Sequence, residues 1–323
     1  MRDEVAGLAA QLRWEPTGAP VQSRHDAVIL CGMGGSAMAG AAAALISPIP
    51  ALIHRGYGLP PAAATAPLVV GVTYSGNTDE TLDALRAADG EGLPVAVVTG
   101  GGAAAEMAGE RGWPLIAVPG GLQPRAAIGY QVAATARLIE TASGVASAPH
   151  LEEAADLVEI ALGSGAVTSL ADDLATAIGS RAPVVFGAMG PAALAAQRWK
   201  TQVNENAKRP AFSMEIPEAN HNDLEGWHGP DGGSGFAAVY LHDEKADPRL
   251  DRRVRLTAAT LALRLGAAGE VRSQGTSPLA RFFTLAVVGD LVSIALADGA
   301  GLDPTPVPAL EAFKRSLDRK ESP

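Results

Sequence analysis

Between Asn204 and Trp227 the chain sets Glu205 between two asparagines and His221 between two more. A glutamate with a histidine is a proton-transfer pair. Neutral amide neighbours can orient an acid or base by hydrogen bonding without adding a charge that would fix its protonation state. Two other stretches have the makings of an anion site. Gly32-Met-Gly-Gly-Ser36 follows an apolar run, Ala27–Cys31, and precedes an Ala-rich helical segment from Ala37. Backbone N–H groups at Gly34, Gly35 and Ser36, the helix dipole and the Ser36 hydroxyl would then converge on one point. Thr73-Tyr-Ser-Gly-Asn-Thr78 likewise leaves an apolar run for a helical one, and Thr73, Ser75 and Thr78 add three hydroxyls. Neutral hydroxyls at helix starts suit a compact phosphate dianion bound without arginine.

Neither loop has the spacing of a dinucleotide fingerprint or the Lys-Ser/Thr ending of a P-loop, which disfavours dinucleotides and nucleoside triphosphates. Asn77 followed by Glu80 has capping-box spacing, but capping would explain Asn77 and not Thr73, Ser75 and Thr78 together. Simpler roles exist for the other candidates. Glu205 could be a surface carboxylate and His221 a loop residue that only hydrogen-bonds locally. Arg125 could merely begin the helix after Pro124, although a cation at a helix N-terminus opposes the dipole and points to another task. His25, His54, His150, His228 and His242 are scattered without metal-ligand spacing, so no metal is expected, and only the closeness of His228 to His221 sets one apart.

The elements that must position these residues read as an alternation. Apolar strands are predicted at Ala27–Cys31, Ala51–His54, Leu68–Thr73, Val95–Thr99 and Leu115–Val118, with helices between them, notably Asp79–Ala88. Such alternation means βαβ units and a parallel sheet. After a mostly helical bridge from about Ala126 to Ala175, Ala182–Phe186 runs into Gly187-Ala-Met-Gly190, an echo of Gly32-Met-Gly-Gly. Further strands are predicted at Phe236–Leu241 and near Val271, with helices at Leu250–Ala267 and from Pro278, which Ser277 can cap. Two related α/β units follow, divided as residues 1–155 and 156–323.

Composition fits that architecture. The chain has 323 residues, 47% of them hydrophobic but only 4% aromatic, with 37 glycines, so its elements must pack closely through small side chains. A net charge of -10 and the absence of a basic run disfavour nucleic acid and anionic membranes as partners. The single cysteine, Cys31, ends an apolar strand, excludes an intramolecular disulfide and fits a reducing cytoplasm. The N-terminus has no signal-peptide pattern. Leu279–Ala297 is apolar but interrupted by Arg281, Gly289 and Asp290, which predicts a buried helix and not a membrane span.

Taken together, Gly32-Met-Gly-Gly-Ser36, Thr73-Tyr-Ser-Gly-Asn-Thr78, Pro124-Arg125-Ala-Ala, Asn204-Glu205-Asn206-Ala-Lys and Pro217-Glu-Ala-Asn-His221-Asn-Asp-Leu-Glu-Gly-Trp227 resemble the prokaryotic bifunctional phosphoglucose/phosphomannose isomerases. These belong to the sugar isomerase (SIS) superfamily, and the resemblance spans nearly the whole chain. It implies two SIS-type doubly wound parallel-sheet subdomains flanked by helices. It also implies aldose–ketose isomerisation of a hexose 6-phosphate through a cis-enediol, without a cofactor, in a homodimer. Glu205 matches the base that moves a proton between C1 and C2, and His221 the group that opens the sugar ring, contributed by the neighbouring subunit. Arg125 matches the arginine that stabilises the enediolate, and Lys314 the lysine that assists at the ring oxygen. The phosphate falls to Gly35, Ser36, Thr73, Ser75 and Thr78. The alternatives are an isomerase of another sugar phosphate and a phosphosugar-binding SIS protein without catalysis. Sensors of the latter kind usually carry a DNA-binding helical domain, and the stretch before Ala27 is too short for one.

Overall fold

The computed structural model describes residues 1–18, 21–230 and 233–317. Two short helices, α1 (Arg2–Ala6) and α2 (Leu8–Leu12), lead into a first set of elements: β1 (Val28–Cys31), α3 (Gly34–Ala44), β2 (Ala51–His54), β3 (Leu68–Thr73), α4 (Asp79–Gly90), β4 (Val95–Thr99), α5 (Gly102–Arg111) and β5 (Leu115–Ala117). Three helices follow, α6 (Ile128–Ser143), α7 (Ala148–Gly163) and α8 (Ala166–Ile178). The second set is β6 (Ala182–Ala188), α9 (Pro191–Asn206), β7 (Phe212–Ile216), α10 (Asp223–Gly226), β8 (Gly233–His242), α11 (Pro248–Leu261) and β9 (Leu265–Arg272), with α12 (Pro278–Gly299) and α13 (Pro308–Leu317) at the end.

Every strand pair in both sheets is parallel, with orders β2-β1-β3-β4-β5 and β7-β6-β8-β9. Overlaying β6 on β1 puts β7, β8 and β9 on β2, β3 and β4, so the repeated glycine loops follow equivalent central strands. The chain reverses direction between β1 and β3, and again between β6 and β8. Crevices at the carboxyl ends of strands on either side of such a reversal are where doubly wound sheets hold ligands. The loop after β1 and the loop after β3 flank the first crevice.

Side chains of each strand alternate between two buried faces, which is why the strands read as continuous apolar runs. In the first sheet Val28, Leu30, Val70, Val72, Ala96 and Val98 face inward to a central helical layer containing α3, α6, α9 and α12. Ile29, Cys31, Val69, Val95 and Val97 face outward under α4 and α5. Burial there pushes the Cys31 thiol up to about 12, so it is a core residue without nucleophilic character. The second sheet uses the same central layer, and its outer face packs under α11.

The closest helix pairing is α9 against α12. Trp199 of α9 is fully buried over Gly289 of α12, where a Cβ would collide with the indole ring, and its Nε1 donates to the Leu285 carbonyl at 2.9 Å. Helix α12 is long and apolar enough to cross a membrane by length and composition, yet 94% of its most apolar window is buried inside the protein, and Ser277 accepts from Ala280 N as its cap. Most predicted elements shift by a few residues at their ends. The helix predicted over Leu250–Ala267 ends at Leu261 because Leu265 and Val271 pair beside β8, tertiary pairing overriding local helical pattern. Helix α3 starts at Gly34 and not at Ala37, which draws Gly35 and Ser36 into its first turn. Residue 155, the expected boundary between the units, lies inside α7.

Trp199→Ala should lower the unfolding free energy by about 3–5 kcal/mol, because the ring fills the α9–α12 contact that binds the two sheets' shared layer. Urea denaturation with an unchanged slope and a lowered midpoint is the expected result.

Candidate active site

The two glycine and hydroxyl loops meet as their strand positions require. Ser36, in the first turn of α3, donates its hydroxyl to Gln131 Oε1 at 2.7 Å and accepts from Tyr74 N at 3.1 Å. Its proton is thus spent on α6, while its oxygen, as an acceptor, ties the first loop to the second. Thr73 and Thr78 share a hydroxyl–hydroxyl bond of 3.1 Å at the start of α4, and Ser75 is exposed between them. Thr78 is the N-cap of α4 but caps no backbone N–H with its side chain. Asn77 takes no part in capping α4 either: its Oδ1 accepts from Ala103 N at 3.0 Å and its Nδ2 donates to the Ser75 carbonyl at 3.2 Å, so it anchors the loop to α5. The uncapped N–H groups of the first α4 turn therefore stand beside the exposed Ser75, whose hydroxyl accepts from Asn77 N at 3.3 Å and keeps its proton to donate, an arrangement suited to a small oxyanion. Gly76 at φ +72 lets this loop press on the Gly101 carbonyl, a place no side chain could occupy.

Arg125 sits directly behind the first loop. A Cβ on Gly35 would stand 3.2 Å from Arg125 N and the Pro124 carbonyl, so glycine there lets the α3 terminus pack on the arginine's own backbone. Gln131, which holds Ser36, also donates to the Pro124 carbonyl at 2.9 Å. Arg125 itself is only 3% exposed. Its Nε donates to Asn206 Oδ1 at 2.8 Å and its Nη1 to Glu205 Oε2 at 3.2 Å, with Gln123 Oε1 at 3.4 Å. Its Nη2 donates to the carbonyls of Pro304 and Thr305, each at 2.9 Å. Burial lowers the guanidinium's affinity for its proton, and the Glu205 carboxylate opposes that effect. An arginine keeps its charge nonetheless. Glu205 lies in the last turn of α9, 27% exposed, where the helix dipole is unfavourable to a carboxylate and Arg125 offsets it.

Lys208 was not singled out by the sequence. Its backbone is left-handed (φ +52), which turns Nζ back to the carbonyls of Asn206, Asp303 and Pro304 at 3.2, 2.8 and 3.2 Å. Burial, then the nearby Arg125, pull its pKa down. Residues 303–305 are thereby held by two cations at the edge of the site. Gln131 and Asn206 were equally unmarked in role; Asn206 carried a signal, as a neighbour of Glu205, but for the wrong partner. The asparagines do not orient the residues they flank. Asn206 holds Arg125, Asn204 accepts from Ala211 N, Asn220 donates to Thr257, and Asn222 donates to Glu218.

Glu205 and Arg125 are brought together, beside the loops of Gly35, Ser36, Thr73, Ser75 and Thr78. His221 and Lys314 are not. Helix α9 runs back across its sheet, which leaves Glu205 at the amino edge of β7, whereas His221 follows the carboxyl edge of that strand. The five residues of β7 span about 16 Å. His221 is exposed at the end of a short turn, its N–H bonded to the Glu218 carbonyl at 2.9 Å. Lys314 is exposed on α13, a helix with no buried residue. Among the described residues neither side chain hydrogen-bonds to the Arg125 cluster. His228 is occupied locally by the Leu224 carbonyl at 2.8 Å. Among the described residues no three His, Cys, Asp or Glu side chains are grouped to hold a metal ion.

Comparison with known proteins gives a consistent picture. Residues 168–317 match the family model of the bacterial phospho-glucose isomerase C-terminal SIS domain. The bifunctional phosphoglucose/phosphomannose isomerase of Caldicellulosiruptor bescii is 34% identical over 310 residues, covering 90% of this chain and 89% of that protein. The protein of the same name from Aquifex aeolicus is 32% identical over 98% of this chain and 97% of its own length. Among solved structures, the tagatose-6-phosphate ketose/aldose isomerase of Escherichia coli superposes with a TM-score of 0.66 at 14% identity, covering 95% of this chain and 89% of that one, a likeness of fold.

If the α4 terminus is the oxyanion cradle, Ser75→Ala should weaken binding of inorganic phosphate about tenfold or more, as expected for loss of one hydrogen bond to a charged group. Isothermal titration calorimetry on the two proteins reads this; equal affinities would remove Ser75 from the cradle.

Proposed function

The chain belongs to the bifunctional phosphoglucose/phosphomannose isomerase family, and on that premise we propose that it interconverts glucose 6-phosphate, and mannose 6-phosphate, with fructose 6-phosphate in the cytoplasm. The observation that carries this reading is the buried Arg125 with its Nη1 3.2 Å from the Glu205 carboxylate and its backbone packed on Gly35 of the first loop. An enediolate chemistry needs a base, a fixed positive charge and a phosphate anchor at one place, and these three are contiguous here.

The substrate phosphate takes the hydroxyls of Ser75 and the Thr73–Thr78 pair with the N–H groups that open α3 and α4. Ser36 supports the cradle only from behind: its hydroxyl is held by Gln131 and its N–H by the Met33 carbonyl at 3.1 Å, which leaves the α3 contribution to the N–H groups of Gly34 and Gly35. Once the ring is open, the Glu205 carboxylate removes the proton from C2 of the aldose. The electron pair flows into the C1 carbonyl, O1 takes up a proton, and a cis-enediol forms. Loss of the O2 proton and return of the proton from Glu205 to C1 give the ketose, so atoms and charge balance with no external reductant. Arg125 lowers the barrier through its fixed positive charge beside the oxygen that becomes negative; its N–H groups are held by Asn206, Gln123, Glu205 and the carbonyls of Pro304 and Thr305, so the charge is preorganised by the protein. The mannose epimer differs at C2 and shares the same enediol, so Glu205 serves both when rotation about C2–C3 turns the opposite face of the C1–C2 unit toward it.

Ring opening falls to His221, which protonates the ring oxygen and accepts from O1. Because β7 separates it from Glu205 in one protomer, the proposal places it in the site of a second copy. Helix α13 supports a dimer: Leu310, Phe313 and Leu317 are 48%, 62% and 64% exposed, an apolar stripe that a second copy would cover. The same packing would carry Lys314 toward the ring oxygen. The division into units at residues 155 and 156 is part of the proposed reading, and the family model, matching residues 168–317, falls within the second unit.

Glu205→Gln should lower kcat for glucose 6-phosphate by about a thousandfold, the range for loss of a positioned base, with KM little changed. A coupled fructose 6-phosphate assay checks it, and retained turnover removes Glu205 as the base. Mixing inactive Glu205→Gln and His221→Ala proteins, with subunit exchange, should restore activity, because one mixed site then holds both native residues. No recovery would place His221 and Glu205 in the same protomer's site.

A further inference from the structure

Helix α12 is apolar along nearly its whole length, yet at its centre it buries a carboxylate. Asp290 is 1% exposed, and its two oxygens accept from Arg198 Nη2 at 2.7 Å and Gln202 Nε2 at 2.9 Å, both from α9. The same Arg198 Nη2 donates to the main-chain carbonyl of Arg125 at 3.1 Å. One turn on, Ser293 donates to the Asp290 carbonyl at 2.6 Å and accepts from Asn206 Nδ2 at 2.8 Å, and Asn206 Oδ1 accepts from Arg125 Nε at 2.8 Å. Two chains of contacts therefore leave one turn of α12 and end on Arg125. One reaches its backbone and the other its guanidinium.

This network is a poor way to build stability. Arg198 Nε and Gln202 Oε1 are buried without a hydrogen-bond partner among the described residues. A buried ion pair with unsatisfied atoms is often less stable than apolar side chains of similar volume. The small, apolar neighbours on α9 and α12 show that the layer could have been closed that way. What a charged pair adds is direction: it can hold a carbonyl and a guanidinium in one geometry, which packing alone cannot.

We propose that Asp290 is a positioning residue for catalysis, its carboxylate fixing the Arg125 backbone through Arg198, while the same turn of α12 holds the guanidinium through Ser293 and Asn206. The inference rests on the isomerase reading and on Arg125 as the enediolate's partner. It requires no contact between Asp290 and the substrate. Loss of the Asp290 charge frees Arg198, the Arg125 carbonyl shifts, and the guanidinium no longer meets the developing oxyanion at the set distance. A misplacement of this kind costs about one to two orders of magnitude in rate.

The test is a double-mutant cycle on the purified full chain, with glucose 6-phosphate as substrate. Asp290→Asn is expected to lower kcat roughly 10- to 100-fold with KM within about twofold of the native value. In an Arg125→Lys background the same substitution should change kcat by less than about twofold, because the group it positions has gone. A native kcat in folded Asp290→Asn, or an equal loss in both backgrounds, overturns the proposal. Should Asp290→Asn not fold, Arg198→Lys carries the test with the same criteria, since it keeps a cation beside Asp290 but loses the planar fork whose Nη2 reaches both Asp290 and the Arg125 carbonyl. If Arg125→Ala itself retains native turnover, the reading of Arg125 falls and this inference with it. If Arg125→Ala is inactive while Asp290→Asn is normal, only this inference falls.

Discussion

Burying one guanidinium is the constraint around which the rest of this protein is organised. Arg125 offers its N–H groups to Asn206 and Glu205 at the end of α9, to Gln123 beside it, and to the carbonyls of Pro304 and Thr305. An arginine stripped of water must find a partner for each donor, and a missing partner leaves an uncompensated charge or dipole in the interior. The partners here come from far apart in the sequence. Both sheets, the helical layer between them and the segment leading into α13 must be in place before the site exists.

Small side chains make that assembly possible. Alanines and glycines on α3, α9 and α12 let the helices approach until Gly289 admits Trp199 and Gly35 touches the backbone of Arg125. Close approach shortens the reach required of the polar groups, so Arg198, Gln202 and Asn206 on α9 find Asp290 and Ser293 on α12 directly. The low aromatic content thus goes with the close packing: a bulkier layer would separate the helices and break the hydrogen-bonded path to Arg125. Polar groups inside the layer serve orientation, while the apolar contacts around them supply stability.

The site also has an asymmetry that follows from topology. Helices of a parallel sheet return the chain from the carboxyl edge to the amino edge. A residue at the end of α9 and one beyond β7 are therefore sixteen positions apart in sequence and a strand length apart in space. The exposed stripe on α13, whose leader is clamped by Arg125 and Lys208, lies at the end of the chain nearest that site. The proposed dimer would join these features, bringing the histidine of one protomer toward Glu205 of the other.

Alternation of apolar runs with helical segments was enough to determine two doubly wound sheets, because strands buried on both faces and helices with glycine-rich starts leave local signatures. The hydroxyl loop and the glycine loop were legible for the same reason: their types and their places at strand ends are local facts. Glu205 was paired in the sequence with His221, and its contact with Arg125 came only from the fold. The strand β7 was not legible, since Phe212–Ile216 is half exposed and polar-interrupted, and neither was the end of α11, where pairing with β8 decided between helix and strand. Partner choice was likewise beyond the sequence. Asn206 flanks Glu205 and yet binds Arg125, Asn77 has capping spacing and yet anchors α5, and Ser36 spends its proton on Gln131. Hydrogen bonds are set by direction and distance among groups that only the folded chain brings together, so composition and spacing determined which residues could act, and tertiary packing decided on whom.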